Sequence, residues 1–309
     1  MRPLTLAILA VAAAAESSGP SFCDPTPAWP RSFAEEFDGS TINASRWSVY
    51  THNSGGQCGF GVGRYGRCGV ENTYLDGTGN LVIKTEKLPV EHCSAEGCFN
   101  YSSGGLISRG KQTWSVAAPG AGYRVCVRAV LPGGSAAHGA GIWPAHWLMP
   151  EAVADSPQKG AMCDPDGGEI DILEMINGNG QACGTYHWQT TWPSKNCTYP
   201  VGHKSVHDCL PMPEDWSTVY HEYAVEHTQD YMAFVVDGKT TVNTSTTDQH
   251  GAEFSDLPFF LILNTAVGGT GTWASAPNAD TAFPTYHKID YVRSNGRAPS
   301  NSQAKEAIH

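Results

Sequence analysis

No stretch of this chain carries an apolar period of 3.6 residues for the length of a helix. Short runs of aliphatic, β-branched and aromatic residues recur instead between turn signals. They include NLVIKTEK (80–87), YRVCVRAVL (123–131), STVYHEYAVEH (217–227), YMAFVVDG (231–238), PFFLILNTAV (258–267) and KIDYVR (288–293). Asp76-Gly77 and Asp237-Gly238 are tight-turn pairs. So many strands bury their apolar faces by stacking, which predicts an all-β sandwich of two antiparallel sheets. The 34 glycines and 20 prolines supply the turns, and glycine-rich stretches at 54–69 and 133–141 read as surface loops. There is no internal repeat and no linker that would divide the 309 residues into two folding units.

The opening residues set the compartment. Arg2 is followed by an apolar run from Leu4 to Ala15, with Ala13 and Ala15 at the small-residue positions before a cleavage point. This predicts a signal peptide over 1–15 and a secreted, extracellular protein. The run is too short to span a bilayer and no later run is long enough, so no membrane partner is expected. Residues 16–32, rich in Ser and Pro, read as a leader, 33–294 as one domain and 295–309 as a tail. A net charge of −11 argues against nucleic acid, which needs a basic face. A monomer is expected.

Ten cysteines remain after residue 15, an even number in an oxidising compartment, so up to five disulfides are expected. Proximity suggests Cys58–Cys68, Cys93–Cys98 and Cys197–Cys209, with Cys163 anchoring residues 151–166. No paired C-x-x-C spacing points to a metal, and no metal or other cofactor is assigned. Glycosylation triplets stand at Asn43, Asn100, Asn196 and Asn243.

The segment GGEIDILEMING, residues 167–178, carries the chemistry. On a strand Glu169 and Asp171 share a face, and Glu174, five residues from Glu169, falls on the other. One extra residue, a β-bulge, would return Glu174 to the face of the first two. Like charges so close raise one another's pKa, which is costly for structure alone. The arrangement suits glycoside hydrolysis, in which one carboxylate attacks the sugar and a protonated one donates to the leaving oxygen. In the bulged register the two glutamate Cα atoms stand ~13 Å apart, at ~3.3 Å per step. Their side chains must then lean together towards the ~5–5.5 Å of a retaining enzyme. A solvated acidic strand and a calcium site are the competing readings.

The surroundings weigh against both. FAEEFDGSTINASRWSVY (33–50), GNLVIKTEK (79–87), YSSGGLISRG (101–110), YRVCVRAVLP (123–132) and GIWPAHWLMP (141–150) precede or lead into the acid strand. GTYHWQ (184–189), YHEYAVEHTQDYMAFVVDGK (220–239), FFLILNTAVGG (259–269) and FPTYHKIDYVR (283–293) follow it. This ordered set, from about Phe33 to Arg293, resembles glycoside hydrolase family 16, and within it the laminarinase-like endo-β-1,3-glucanases. The resemblance implies a β-jelly-roll with a concave glycan-binding cleft and a catalytic domain over 33–294. It implies a nucleophile at Glu169, an assisting acid at Asp171 and the general acid/base at Glu174. The six-residue EIDILE is similar to laminarinases, whereas lichenase-like members have a five-residue form.

Trp143 and Trp147 share a strand face with Ala145 between them, so their indoles can stack on sugar rings; core packing is the other fate of such residues. By resemblance His187, on one face with Thr185 and Gln189, sits beside the acid/base. Asn72, in GVENTY, reaches the cleft, and Trp188 points away from it. Trp192 and Trp273 are loop aromatics for the cleft ends. Gly105 stands where bacterial laminarinases often have arginine, leaving Arg109 as a substitute. His227 stands where tryptophan is common and His146 where an aromatic often lies, both serving packing. His203 and His207 have metal-ligand spacing but no glutamate partner, and lie in a loop-like stretch.

Three functions are consistent with these residues. The first is a secreted retaining endo-glycosidase hydrolysing β-1,3-glucan, a laminarin-like or cell-wall polysaccharide. The second is a transglycosylase that passes the same intermediate to another sugar. The third is a β-glucan recognition protein without catalysis, a class that by resemblance has lost the glutamates this chain keeps.

Overall fold

The computed structural model describes residues 20–50, 66–94, 97–118, 120–151, 168–189, 203–245, 247, 254, 256–269 and 272–297. The signal segment, Cys58, Cys163, Cys197, Asn196 and Trp192 lie outside them. In chain order the strands are β1 (Arg31–Glu35), β2 (Ser48–Val49), β3 (Gly66–Cys68), β4 (Thr73–Leu75), β5 (Leu81–Ser94) and β6 (Gly97–Ser103). Next come β7 (Gly105–Ile107), β8 (Thr113–Trp114), β9 (Gly122–Val130), β10 (Ile142–Pro150), β11 (Glu169–Glu174) and β12 (Gln181–Gln189). The last six are β13 (His203–Pro211), β14 (His221–Thr228), β15 (Tyr231–Val236), β16 (Lys239–Ser245), β17 (Phe259–Val267) and β18 (Thr285–Arg297).

The strands form two sheets. One runs β16-β15-β14-β9-β18-β5-β6-β3, with β1 and β4 pairing at its side; the other runs β13-β12-β11-β10-β17-β7-β2, with β8 on β17. Among the described residues every pairing is antiparallel except β3 with β6. This is the jelly-roll sandwich expected from the sequence. No described helix is long and apolar enough to cross a membrane.

Alternation along the strands explains how the sheets meet. On β9, Tyr123, Val125, Val127 and Ala129 enter the core between the sheets, while Arg124 and Arg128 face out to Glu226 and Asp290. Leu148 of β10, Ile170 of β11 and Phe259, Leu261 and Leu263 of β17 meet them from the second sheet. β10 and β17 are buried on both faces, because Trp147, Met149, Phe260 and Ile262 form a further apolar cluster on the side away from the core.

The described part of the leader, residues 20–30, is fastened to the first sheet. Cys23 is disulfide-bonded to Cys126 across 103 residues; closing a loop of that length confers about 4.7 kcal/mol in the chain-entropy model. The Arg124 guanidinium lies 4.2 Å from the Phe22 ring and 4.5 Å from that of Trp29. Cys93–Cys98 forms as proximity suggested, and Cys68 is disulfide-bonded. Cys209 pairs with Cys183 rather than Cys197, because the two stand directly opposite in the β12–β13 ladder. Residues 203–211 are therefore an edge strand rather than a loop. Only Val206 of that strand is buried, so no apolar alternation marks it in the sequence. The run 217–227 enters its strand only at His221, since Trp216, Thr218 and Val219 hydrogen-bond back to Pro213 and Asp215 in a turn. Asp237 and Gly238, with φ of 47° and 74°, form the tight turn between β15 and β16. Asn43, Asn100 and Asn243 are exposed.

His146 and His227 lie in the interior, as expected of packing residues. His146 Nε2 is 2.9 Å from His287 Nε2, and His227 Nδ1 is 2.9 Å from the Tyr123 hydroxyl. Burial pushes His227 down from 6.5 to about 3. A base whose folded value is depressed takes up its proton more readily in the unfolded chain, so its contribution to stability falls as pH drops from about 6.5 towards 3. Replacing His227 with Phe removes that loss. At pH 7 the variant should melt slightly below wild type, by about 1 kcal/mol for the hydrogen bond lost at Tyr123. As pH falls to 4, thermal melts should show the gap closing or reversing.

Candidate active site

The acid strand enters the second sheet through Gly168, whose φ of +80° disfavours a side chain and whose added Cβ would lie 2.4 Å from the His187 carbonyl oxygen. The ladder then fixes which residues share a face. Glu169 stands opposite His187, Asp171 opposite Thr185 and Glu174 opposite Cys183, with a register shift between Asp171 and Glu174. On the other side Trp147 stands opposite Asp171 and Ala145 opposite Glu174, again with a shift. Ile172 and Leu173 both turn into the core. This is the bulge the sequence required, and it brings all three carboxylates to the face away from the core.

Side-chain geometry follows from that register. Ligand atoms of Glu169, Asp171 and His187 lie within 4.8 Å of one another. His187 Nε2 is 3.2 Å from Asp171 Oδ2. Trp143 Nε1 donates to Glu174 Oε1 at 2.9 Å, and Trp147 Nε1 donates to Asn264 Oδ1 at 2.8 Å. The Trp143 ring stacks on Trp273, centroids 5.9 Å apart. Trp273, 54% exposed, continues the aromatic surface beyond the sheet.

Electrostatics push the three acids the same way. Burial, then the charges of Asp171 and Glu174, raise Glu169 well above the usual carboxylate range. Burial and Glu174 do the same to Asp171. Burial raises Glu174, opposed by the Trp143 hydrogen bond and by His187. Three carboxyls crowded in one buried site disfavour one another's ionisation, which favours retention of a proton by the set. A retained proton beside an ionised carboxylate is the equipment of general-acid and nucleophilic catalysis. The Glu169, Asp171 and His187 atoms also have the donor types for a divalent cation.

Other expected residues divide. Trp143, Trp147 and His187 join the acids on one face. Trp188 packs in the core, away from them. Asn72 is fully buried at the end of a short 3-10 turn before β4, its amide donating to Lys84 O and Glu86 Oε1 and accepting from Ser102 Oγ. A Cβ at Gly105 would lie 2.9 Å from Leu263 O and 3.1 Å from Asn264 Cβ, so this site has no room for arginine without a shift. The Arg109 guanidinium instead sits 5.7 Å from the Phe260 ring, within the apolar cluster that holds Trp147. Two residues were not foreseen as parts of the site. Asn264 is betrayed only by its polarity within FFLILNTAV, and His203, whose Nε2 lies 2.8 Å from His187 Nδ1, was obscured by the loop-like reading of its strand.

Comparison with known proteins bears on the family and the fold. The model of the family described as Glycosyl hydrolases family 16 matches residues 71–293. The β-glucanase of Rhodothermus marinus is 31% identical over 301 residues, covering 94% of this chain and 93% of that protein. Glucan endo-1,3-β-glucosidase A1 of Niallia circulans is 28% identical over 84% of this chain, which spans 36% of that longer protein. Among solved structures, the laminarinase catalytic domain of Thermotoga maritima superposes with a TM-score of 0.69 at 29% identity, covering 88% of this chain and 99% of that one.

The Trp143 hydrogen bond is one of two influences holding Glu174 down. In Trp143→Phe, carboxyl-carbon NMR should therefore find Glu174 titrating at higher pH than in wild type. An unchanged Glu174 titration would remove that hydrogen bond from the account.

Proposed function

The chain belongs to glycosyl hydrolases family 16, and from that premise we propose that it is a secreted, retaining endo-glycosidase that hydrolyses β-1,3-glucan. The observation that carries this reading is the bulged acid strand, with Glu169, Asp171 and Glu174 facing one way beside Trp143 and Trp147.

In the first step Glu169 attacks the anomeric carbon, the glycosidic C–O bond breaks, and Glu174 gives its proton to the departing oxygen. In the second, water attacks the same carbon and yields a proton to Glu174. The ester bond breaks, and Glu169 returns as carboxylate. A high pKa suits Glu174, which must be protonated at the start of each cycle. Asp171 lies against Glu169 and takes part in their shared proton. Trp143 both orients Glu174 and offers its ring to the sugar, continued by the exposed Trp273. The β-1,3 linkage is supported by the names of the relatives and by the six-residue EIDILE. Export is supported by residues 1–15 and by the disulfides.

Purified protein incubated with laminarin, mixed-linkage glucan, agarose and carrageenan should release short oligosaccharides from the first, and from the second to the extent that β-1,3 bonds are accessible. Glu169→Gln and Glu174→Gln should each lower kcat at least about a thousandfold, to be checked with circular dichroism matching wild type. Binding to every glucan without new reducing ends would favour recognition. Longer products formed on adding acceptor sugars would favour transglycosylation.

A further inference from the structure

The imidazole beside the carboxylates is not the end of its hydrogen-bond chain. His187 Nε2 faces Asp171 Oδ2 at 3.2 Å, a buried oxygen with no aligned hydrogen bond, as is common for catalytic contacts without substrate. On the opposite edge of the ring, His187 Nδ1 lies 2.8 Å from His203 Nε2. The two rings are stacked, centroids 5.0 Å apart and 28° between planes. His203 opens β13, the edge strand of the sheet, and is partly exposed. The Cys183–Cys209 disulfide ties that strand to β12.

A neutral imidazole has one N–H and one lone pair. Nitrogens 2.8 Å apart cannot both donate or both accept, so the tautomers of the two rings are coupled. When Asp171 is ionised, His187 presents Nε2–H to it; Nδ1 then accepts, and His203 donates Nε2–H. When Asp171 is protonated and its O–H donates to the lone pair of His187 Nε2, the Nδ1–H of His187 points to the lone pair of His203 Nε2. Burial and the neighbouring ring hold His203 below its ordinary value, which keeps it neutral at pH 7.

We propose that His203 is a positioning residue that sets the tautomer of His187 and, through it, the hydrogen bond that the ring presents to Asp171. The inference rests on Glu169 and Glu174 being nucleophile and acid/base. Once Glu169 is an ester its charge is gone, so the balance at Asp171 differs between the two half-reactions. A fixed His187 tautomer keeps Nε2–H aimed at Asp171 Oδ2 through both. Around the pair, β11 brings Glu169, Asp171 and Glu174, and β12 brings Tyr186 on its core face. β13 itself carries Lys204, His207 and Asp208, all exposed, and the packed β16 adds Lys239 as its one charged residue.

Two variants of the full chain separate this role from simple packing. His203→Phe keeps the ring and removes both nitrogens, whereas His203→Gln places an amide near the position of Nε2. The expected result for Phe is kcat lower by about tenfold with KM within about twofold, and Gln should restore most of that loss. Nitrogen NMR of the free protein should find one His187 tautomer at pH 7 in wild type and in Gln, and a mixture in Phe. Normal kcat in Phe with a deficit in Gln would assign His203 to packing and overturn the proposal. An unchanged His187 tautomer in folded Phe protein would overturn it too. The NMR arm needs no substrate, so it stands or falls separately from the assignment of β-1,3-glucan hydrolysis.

Discussion

One unpaired residue in β11 governs the chemistry of this protein. Without it, strict alternation would send Glu174 into the core with Ile170 and Ile172, at the cost of several kcal/mol for a buried unpaired carboxyl. With it, Ile172 and Leu173 both turn inward and Glu174 returns beside Asp171. The apolar run on one side of β11 anchors the strand, and that anchorage forces three like-charged groups together on the other. The site is therefore a consequence of core packing on the opposite face of the same six residues.

Crowding of the acids is sustained by what encloses them. β10 is buried on both faces, so Trp143 and Trp147 form a low-dielectric wall along the carboxylates and raise the cost of ionisation. The same indoles use their N–H groups on Glu174 and Asn264, while the Trp143 ring stacks on the exposed Trp273 and Trp147 packs against Phe260 and Ile262. His187 opposes the tendency at Glu169 and Glu174, and the imidazole on the edge strand continues that line of polar contacts out of the cluster.

Much of this was legible in the sequence because it is local. Alternation along 80–87, 123–131 and 258–267 marks strands whose two faces differ, and EIDILE states its own bulge through the misplaced glutamate. What was not legible depends on pairing partners. Cys209 faces Cys183 only because β12 and β13 are in register, and nothing in the spacing favours that over Cys197. β13 has a single buried residue, so its strand character comes from its neighbour. For the same reason His203 read as a weak metal motif rather than as the partner of His187. Asn72, which looked available in GVENTY, is held by Lys84, Glu86 and Ser102 from two other strands. Polar residues in such a sandwich reveal their role only when the register of the sheets is known.

Face-sharing of Glu169 and Glu174 supports double displacement through an ester on Glu169. The most direct measurement is peptide mapping by mass spectrometry after incubation with a 2-deoxy-2-fluoro laminari-oligosaccharide bearing a good leaving group, which slows breakdown of the intermediate. One glycosyl adduct is expected, located on Glu169, with turnover lost in proportion to labelling. An adduct on Glu174, or hydrolysis with inverted anomeric configuration and no adduct, would contradict it.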